Sequence, residues 1–114
     1  MEAESTRQQK VGRQLQKDLG EIFQQQGMAA YDGAMISVTT VRMSPDLSFA
    51  KVFVSIFPSS KSENVMQIIN KNIKVIRLEV GKRTKNQLRV VPEIAFNIDD
   101  SLDYVEKIES LLKQ

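Results

Sequence analysis

The apolar positions along the chain follow two different periods, and each change of period marks the boundary of a predicted element. Val11, Leu15 and Leu19 recur at helical spacing within a first predicted helix, residues 5–23. Ser5 and Gln8 have the spacing of a capping box at its start. The stretch QQQGMAAYDG, residues 24–33, then breaks the period and is predicted to be a loop.

Two β-strands are predicted next, AMISVTTVRM over residues 34–43 and SFAKVFVSIF over residues 48–57. The alternation of apolar and polar residues in the first strand shifts by one position between Val38 and Val41, which indicates a β-bulge. The intervening SPDL has turn chemistry, because Pro45 fixes φ and Asp46 can bond its own backbone. The two strands are therefore expected to form a hairpin. The second strand directs one apolar set inward, namely Ala50, Val52, Val54 and Ile56.

A helical period returns after PSSKSE, residues 58–63. Ser60 and Glu63 have the spacing of a second capping box, and one long helix is expected to end near Gly81. A third strand is predicted over residues 87–98, where Pro92 constrains its pairing, and a last amphipathic helix over residues 99–112. The core-facing positions of the long helix are Val65, Ile69, Ile73, Ile76 and Val80.

The predicted order of elements is α-β-β-α-β-α, an α+β domain with a three-stranded sheet and helices on one face. The 114 residues, 41% hydrophobic and 26% charged, suit one globular domain over residues 1–114. The polar start MEAESTRQQK does not have the pattern of a secretory signal, and no apolar run approaches a membrane span. Since the chain also has no cysteine, a cytoplasmic protein is expected.

The composition argues against most catalytic chemistry. Without histidine and cysteine, the common zinc sites, cysteine nucleophiles and Ser-His pairs cannot form. The one carboxylate cluster, Asp99, Asp100 and Asp103, precedes an apolar-periodic stretch, where acids oppose the positive end of a helix. This structural role is favoured over a metal or acid–base site. We therefore expect that the protein is not an enzyme and that it binds no metal, cofactor or small-molecule substrate.

Positive charge is concentrated in one segment, although the formal net charge of the chain is only +2. Residues 71–89 carry seven basic residues and one acid, Glu79. A patch of one sign attracts a polyanion, and nucleic acid is favoured over an acidic protein partner. A basic helix and loop beside a sheet fit RNA-binding modules better than DNA-reading motifs. The candidate RNA-contacting residues are Lys71, Lys74, Arg77, Lys82, Arg83, Lys85 and Arg89, flanked by Arg7, Lys10 and Arg13 of the first helix.

Some of these residues have a second interpretation. Arg77 and Arg89 can brace the fold instead of binding RNA, Arg89 by pairing with Glu93. The basic residues just after Gly81 are expected in a solvent-facing turn; they are Lys82, Arg83 and Lys85. On the outer face of the sheet, Phe53 is a candidate base-stacking residue, but a packing role is favoured.

Three runs of the sequence resemble the ribosome-binding factor A family: MSPDLSFAKVFVS (43–55), IRLEVGKR (76–83) and LRVVPEIAFNIDDS (88–101). The opening RQQKVGRQLQKDL and the closing IESLL are similar to the ends of the same family, so the resemblance covers nearly the whole chain. It implies a monomeric type II KH-like domain that binds free or immature 30S subunits and 16S rRNA near the neck and the 3′ end. The implied role is non-catalytic, in late small-subunit assembly and rRNA end processing.

The resemblance also concerns the central helix, which this family kinks at an Ala-x-Gly interruption in place of the usual KH GXXG loop. This chain has Asn72, Ile73 and Lys74 in the equivalent stretch. The poor helix propensity of Asn72 makes it the candidate position of a kink.

The main alternative function is a basic interaction adaptor that binds an acidic protein. RNase sensitivity of the complex distinguishes this adaptor from an RNA-binding protein.

Overall fold

The computed structural model describes residues 4–99, so the predicted last helix, with Asp100 and Asp103, lies outside the described residues. Its helices and strands are α1 (Thr6–Gln26), β1 (Met35–Met43), β2 (Phe49–Phe57), α2 (Ser62–Lys71), α3 (Ile73–Thr84) and β3 (Glu93–Ile98). Two short 3-10 turns, Met28–Tyr31 and Ser59–Lys61, connect them. The helices pack on one face of a three-stranded sheet of order β1-β2-β3. The predicted α+β class is confirmed.

Helix α1 begins with the predicted capping box. The Ser5 hydroxyl accepts a hydrogen bond from the Gln8 backbone at 3.2 Å, and Gln8 Oε1 accepts one from the Ser5 backbone at 2.7 Å. The helix continues to Gln26 and ends at Gly27, whose φ of 85° suits glycine. The predicted loop is therefore shorter than residues 24–33, and its 3-10 turn buries Tyr31.

Strands β1 and β2 form the predicted antiparallel hairpin, and the register shift between Val38 and Thr40 confirms the bulge. In the turn between them, the carboxylate of Asp46 accepts hydrogen bonds from the hydroxyls of Ser48 at 2.7 Å and Ser44 at 2.8 Å. These bonds, chiefly that from Ser48, lower the pKa of Asp46 to about 2, because they stabilise the charged form. The turn chemistry predicted for SPDL is thus present.

Strand β3 pairs in parallel with β2, which makes β2 the central strand. It begins at Glu93, so the strand predicted over residues 87–92 is wrong. Pro92 has no backbone N–H that could donate a hydrogen bond to a neighbouring strand. The carbonyls of Val91 and Pro92 instead accept hydrogen bonds from Arg77, at 3.0 and 3.1 Å. Residues 85–92 therefore form a loop that lies against α3, hereafter the 85–92 loop.

The long helix predicted after residue 60 is two helices, α2 and α3. They meet at Asn72, the candidate kink position, whose φ and ψ are −96° and 6°. Its backbone N–H donates to the carbonyls of Ile68 and Ile69, and its own carbonyl accepts from Ile76, so the backbone stays hydrogen-bonded across the break. The side chain of Asn72 also hydrogen-bonds Tyr31, whose pKa is raised by burial in spite of this bond.

Two predicted helix boundaries are wrong. Helix α2 begins at Ser62 after a 3-10 turn, and no side chain caps its first turn, so the capping box of Ser60 and Glu63 does not form. Gly81 lies inside α3, which continues to Thr84. A Cβ at position 81 would lie 3.0 Å from Cγ2 of Val91, so the glycine allows the 85–92 loop to approach the helix.

The core lies between the helices and the inner face of the sheet. Ala50, Val52 and Val54 of β2 are fully buried, and Ile56 nearly so, which confirms the predicted strand phase. The helical stripe packs against them: Val65, Ile69, Ile76 and Val80 are buried, and Ile73 is partly buried. Since burying one such side chain contributes roughly 1.5–3 kcal/mol, this packing is the main source of stability.

An ion-pair cluster joins α3 to α1. Arg83 Nη1 lies 2.5 Å from Glu21 Oε2 and 3.8 Å from Asp18 Oδ1. The Asp18 side chain is only 6% exposed, Gln14 donates to its Oδ1, and its Oδ2 has no hydrogen-bond partner among the described residues. The guanidinium of Arg83 therefore compensates a buried carboxylate. The expectation that Arg83 lies in a solvent-facing turn is wrong.

We expect Val54→Asp to lower the free energy of unfolding by more than about 4 kcal/mol, because it buries an unpaired carboxylate. The matched control is Lys51→Asp on the opposite face of the same strand, where the loss of a cation–π contact with Phe53 costs at most about 1 kcal/mol. Urea denaturation followed by circular dichroism measures both. Equal stability of the two variants would contradict the strand phase.

We expect Arg83→Gln to lower the free energy of unfolding by about 3 kcal/mol, because it leaves Asp18 buried and unpaired. Lys82→Gln, one residue earlier, removes only an exposed pair with Glu79 and should cost less than about 0.5 kcal/mol. Adding Asp18→Asn to Arg83→Gln should restore part of the loss. If the single and double variants were equally unstable, the charge of Asp18 would not be the cause.

Candidate nucleic-acid interface

The seven basic residues of segment 71–89 do not form one continuous surface. Lys71 ends α2, four of the seven (two lysines and two arginines) lie on α3, and the last two lie in the 85–92 loop. Five of the seven are exposed: Lys71, Lys74, Lys82, Lys85 and Arg89. The other two, Arg77 and Arg83, are half-buried and contact other parts of the fold.

Arg77 holds the 85–92 loop in place. Besides its two hydrogen bonds to loop carbonyls, its guanidinium lies 3.8 Å from the carboxylate of Glu93. This geometry supports the bracing role considered for Arg77. Within residues 4–99, Glu93 pairs with Arg77 and not with Arg89, which precedes β3 in the loop. Arg89 therefore keeps its charge exposed.

A cleft of about 740 Å³ opens between the start of α1, the turn at residues 44–48 and the 85–92 loop, hereafter the basic cleft. Arg7, Lys85 and Arg89 line it, and all three are exposed. None of the three forms an ion pair with a carboxylate of residues 4–99. The fold thus brings together cations from two distant parts of the chain.

The net charge of the basic cleft is positive. Its lining includes four cations, the three above and Arg77, and two carboxylates, those of Asp46 and Glu93, which leaves a net +2. Both carboxylates already have partners, in the turn hydroxyls and in Arg77. An open cleft whose free charges are cationic suits the phosphate backbone of a nucleic acid.

Of the flanking cations on α1, Lys10 lies beside Arg7 and Arg13 does not. Residues three apart are neighbours on a helix surface, whereas residues six apart point in different directions. Arg13 instead lines a small cavity with Thr39 and Thr40 of β1. Arg7 and Lys10 occupy the first turns of α1, where cations oppose the helix dipole, so helix stability does not explain their placement.

A second exposed surface is the outward side of α3, hereafter the α3 strip. Lys74 and Lys82 are exposed along it, with Lys71 exposed at the end of the preceding helix, and Val75 and Leu78 are more than half exposed between the two lysines of α3. Apolar side chains flanked by cations suit an unpaired nucleotide, whose base needs an apolar contact while its phosphate needs a positive charge. Val75 and Leu78 are not among the candidate residues predicted from the sequence. Both are apolar residues that do not belong to the core-facing positions of the predicted helix, and this could have identified them in the sequence.

Other functional chemistry has little support in the described residues. Between residues 4 and 99, no group of three or more acidic, histidine or cysteine side chains is arranged to hold a metal ion. Asp99, the described member of the predicted carboxylate cluster, accepts a hydrogen bond from the Thr39 hydroxyl at 2.7 Å. None of the helices in this part of the chain is both long and apolar enough to cross a membrane.

Comparison with known proteins places this chain in a family. The sequence profile described as ribosome-binding factor A matches residues 7–112. A ribosome-binding factor A from Christiangramia forsetii is 46% identical over 111 residues, which cover 96% of this chain and 85% of the relative. The profile and the relative thus both span nearly the whole chain.

Solved structures agree with the fold. The crystal structure of ribosome-binding factor A from Thermus thermophilus has a TM-score of 0.68 at 21% identity and covers 80% of this chain and 94% of its own. A Thermus thermophilus homology model, fitted into the cryo-electron microscopy map of a 30S complex with this factor, has a TM-score of 0.65 at 21% identity, covering 78% and 91%.

The structural matches confirm the predicted KH-like fold for the residues that the structure describes. They are too distant in sequence to show more than the fold. The family itself rests on the profile match and on the 46% identity, each of which extends over most of the chain. This chain belongs to the ribosome-binding factor A family.

Proposed function

We propose that this protein binds free or immature small ribosomal subunits through 16S rRNA and assists late subunit assembly and rRNA end processing without catalysing a reaction. Family membership and the 30S complex formed by a Thermus thermophilus relative support a ribosomal partner. The observation that carries the proposal is the convergence of Arg7, Lys85 and Arg89 on one open cleft. The proposal implies a monomeric protein that acts in the cytoplasm, where small subunits assemble.

The two basic surfaces have different tasks in this proposal. The basic cleft holds the rRNA backbone, because phosphate contacts position a nucleic acid without reading its sequence. The α3 strip adds Val75 and Leu78 as apolar contacts for unstacked bases. Both surfaces end at the 85–92 loop, so an rRNA junction bound there would be held in one arrangement while its ends are processed.

Arg77 and Arg83 contribute indirectly, as positioning residues. Arg77 holds the loop that presents Lys85 and Arg89, and Arg83 holds the last turn of α3 against α1. Loss of either side chain would displace the cations without removing them. RNA contacts therefore belong to Lys71, Lys74, Lys82, Lys85, Arg89, Arg7 and Lys10, and Arg13 has a separate position on α1.

Reversing two cleft charges, Lys85→Glu with Arg89→Glu, should weaken binding to 30S particles by at least about tenfold, because repulsion replaces two phosphate contacts. The melting temperature should not change, since both side chains are exposed. The control, Arg13→Glu with Lys17→Glu, makes the same net-charge change at two residues of α1 that do not line the basic cleft. Co-sedimentation with purified 30S particles at constant salt measures binding.

Two outcomes would contradict this proposal. Equal loss of binding in the control pair would mean that overall charge, and not the basic cleft, determines affinity. Normal binding by the folded cleft variant would place the interface elsewhere. Treating the co-purified complex with RNase tests the alternative function, because an adaptor bound to an acidic protein would keep its partner after the RNA is removed.

The salt dependence of binding gives an independent measurement. Lys85→Gln with Arg89→Gln should reduce the slope of log K against log salt by roughly 1.4 to 1.8, since each lost phosphate contact contributes roughly 0.7 to 0.9. Arg13→Gln with Lys17→Gln should leave the slope unchanged. A fluorescently labelled 16S rRNA fragment reports affinity across a salt series, and gel analysis should recover it intact. Cleavage of the fragment by the pure protein would refute the non-catalytic role.

A further inference from the structure

The free edge of β1 is closed along most of its length by side chains at the start and in the middle of α1. In the described part of the chain β1 has one neighbouring strand, β2, so the backbone groups of its other edge need other partners. The Glu4 carboxylate accepts a hydrogen bond from the Met43 backbone at 2.9 Å, and the Gln8 amide donates one to the Met43 carbonyl at 2.9 Å. The Gln16 amide donates to the Val38 carbonyl at 3.2 Å.

These contacts follow a step of four residues along α1, and residues four apart lie on one side of a helix. Gly12, in the middle of the series, lets the helix approach the strand, because a Cβ there would lie 3.0 Å from the Val41 carbonyl oxygen. Four residues of a helix advance by about 6 Å, close to the roughly 7 Å that two residues of a strand advance. The next position of the series is therefore Gly20, level with Ile36.

The closure of the edge ends at Gly20. Glycine has no side chain that could reach the strand, and no atom of another element lies within 4 Å of the place that a Cβ would take. A cleft of about 490 Å³ opens here between the last turns of α1, the 3-10 turn Met28–Tyr31 and the start of β1, hereafter the edge cleft. Among the described residues that line the edge cleft, none is charged.

The backbone of Ile36 faces the edge cleft. Within a strand, the N–H and C=O of one residue point to one edge, and those of the next residue point to the other edge. The Val54 carbonyl accepts from the Asp99 N–H on the β3 side, so Val38, the partner of Val54, directs its backbone outward. Ile36 lies two residues before Val38 with no register shift between them, and therefore also faces outward. Within residues 4–99, neither backbone group of Ile36 has a hydrogen-bond partner outside the sheet.

This arrangement suits an extended peptide better than a nucleic acid. A residue paired with Ile36 would exchange two main-chain hydrogen bonds with it, and its side chain would lie on the same face as that of Ile36. That face is the inner one, because Ile36 packs against the core, and Phe23 and Tyr31 line the cleft there. Met28 and Met35, both more than half exposed, add flexible apolar side chains that can adapt to a partner. A phosphate group needs cations, which the described lining does not supply.

We infer that the edge cleft binds an extended segment of a partner protein, which adds to β1 at Ile36 and packs one uncharged apolar side chain against Phe23 and Tyr31. The inference does not rest on the proposed function. Gly20 lies about 20 Å along the helix axis from Arg7 of the basic cleft, at the rise of an α-helix. The protein can therefore hold RNA and a protein segment at the same time.

The probe for this site is a capped five-residue peptide with leucine at its centre and threonine at the other positions, which favour an extended chain. NMR titration of the isotopically labelled full chain should shift the Ile36 amide proton downfield and slow its exchange with solvent, because this N–H gains a carbonyl acceptor. A peptide with aspartate in place of the leucine should cause neither change, since the carboxylate would be buried without a partner. N-methylation of the leucine should weaken binding by at least about fivefold, since it removes one main-chain hydrogen bond.

Two substitutions at one position test the site in the protein. Gly20→Gln continues the series of α1 side chains, so its amide should occupy the backbone groups of Ile36 and peptide binding should be lost. The matched control, Gly20→Ala, improves helix propensity in the same way but is too short to reach the strand, and should bind the peptide normally. Neither variant should have a lower melting temperature. Both should bind the 16S rRNA fragment normally, so a failure of this inference is distinguishable from a failure of the proposed function.

Three results would overturn the inference. An Ile36 amide that the peptide does not shift, or equal peptide binding by Gly20→Gln and Gly20→Ala, would mean that the edge cleft is not a peptide site. A shift caused by the 16S rRNA fragment and not by the peptide would make it an RNA contact. Slow exchange of the Ile36 amide before any peptide is added would mean that the edge is already paired, with a second copy if dilution removes the protection and within the chain if it does not.

Discussion

The inner face of β2 is the constraint on which the rest of the fold depends. The strand is hydrogen-bonded on both edges, antiparallel to β1 and parallel to β3. Its fully buried residues are small or β-branched, which lets the helices approach the sheet closely. Since α1 and α3 bury apolar side chains in the same core cluster as this strand, core packing also determines where the start of α1 meets the 85–92 loop. The basic cleft is thus a consequence of core packing.

The elements that depend on local pattern were predictable. The strand phase of β2 followed from simple alternation, and the start of α1 followed from Ser5 and Gln8, whose side chains satisfy the helix N-terminus without help from the rest of the fold. The bulge in β1 followed from a phase slip visible in the sequence. The break in the central helix did not follow from periodicity, which predicted one long helix; a kink was considered at Asn72 only because of the family resemblance and the low helix propensity of this residue.

The elements that depend on tertiary contacts were not predictable from the sequence. Gly81 resembled a helix stop, but its lack of a side chain serves the approach of Val91. Residues 88–91 have strand composition, yet Arg77 takes the carbonyls of Val91 and Pro92 that a ladder would need. The choice between these roles depends on partners far along the chain, which composition and spacing do not reveal.

The candidate site shows the same division. The candidate cations are neighbours in the sequence, but they lie at different places in the fold. Arg83 pairs with Asp18 and Glu21 of α1. Lys85 and Arg89 line the basic cleft together with Arg7. The excess of positive charge in this segment was evident from composition, because seven cations with one acid cannot neutralise one another locally. The assignment of each cation to binding or to bracing required the geometry.

The hydroxyl-bound carboxylate in the hairpin turn has a consequence for how the basic cleft responds to its surroundings. With its pKa at about 2, Asp46 is ionised at every pH a cell experiences. The chain has no histidine, the side chain that ordinarily titrates near neutrality. The contribution of Asp46 to the charge of the basic cleft is therefore constant under physiological acidification. Ionic strength, which screens exposed charges, is expected to change how strongly the basic cleft attracts a polyanion.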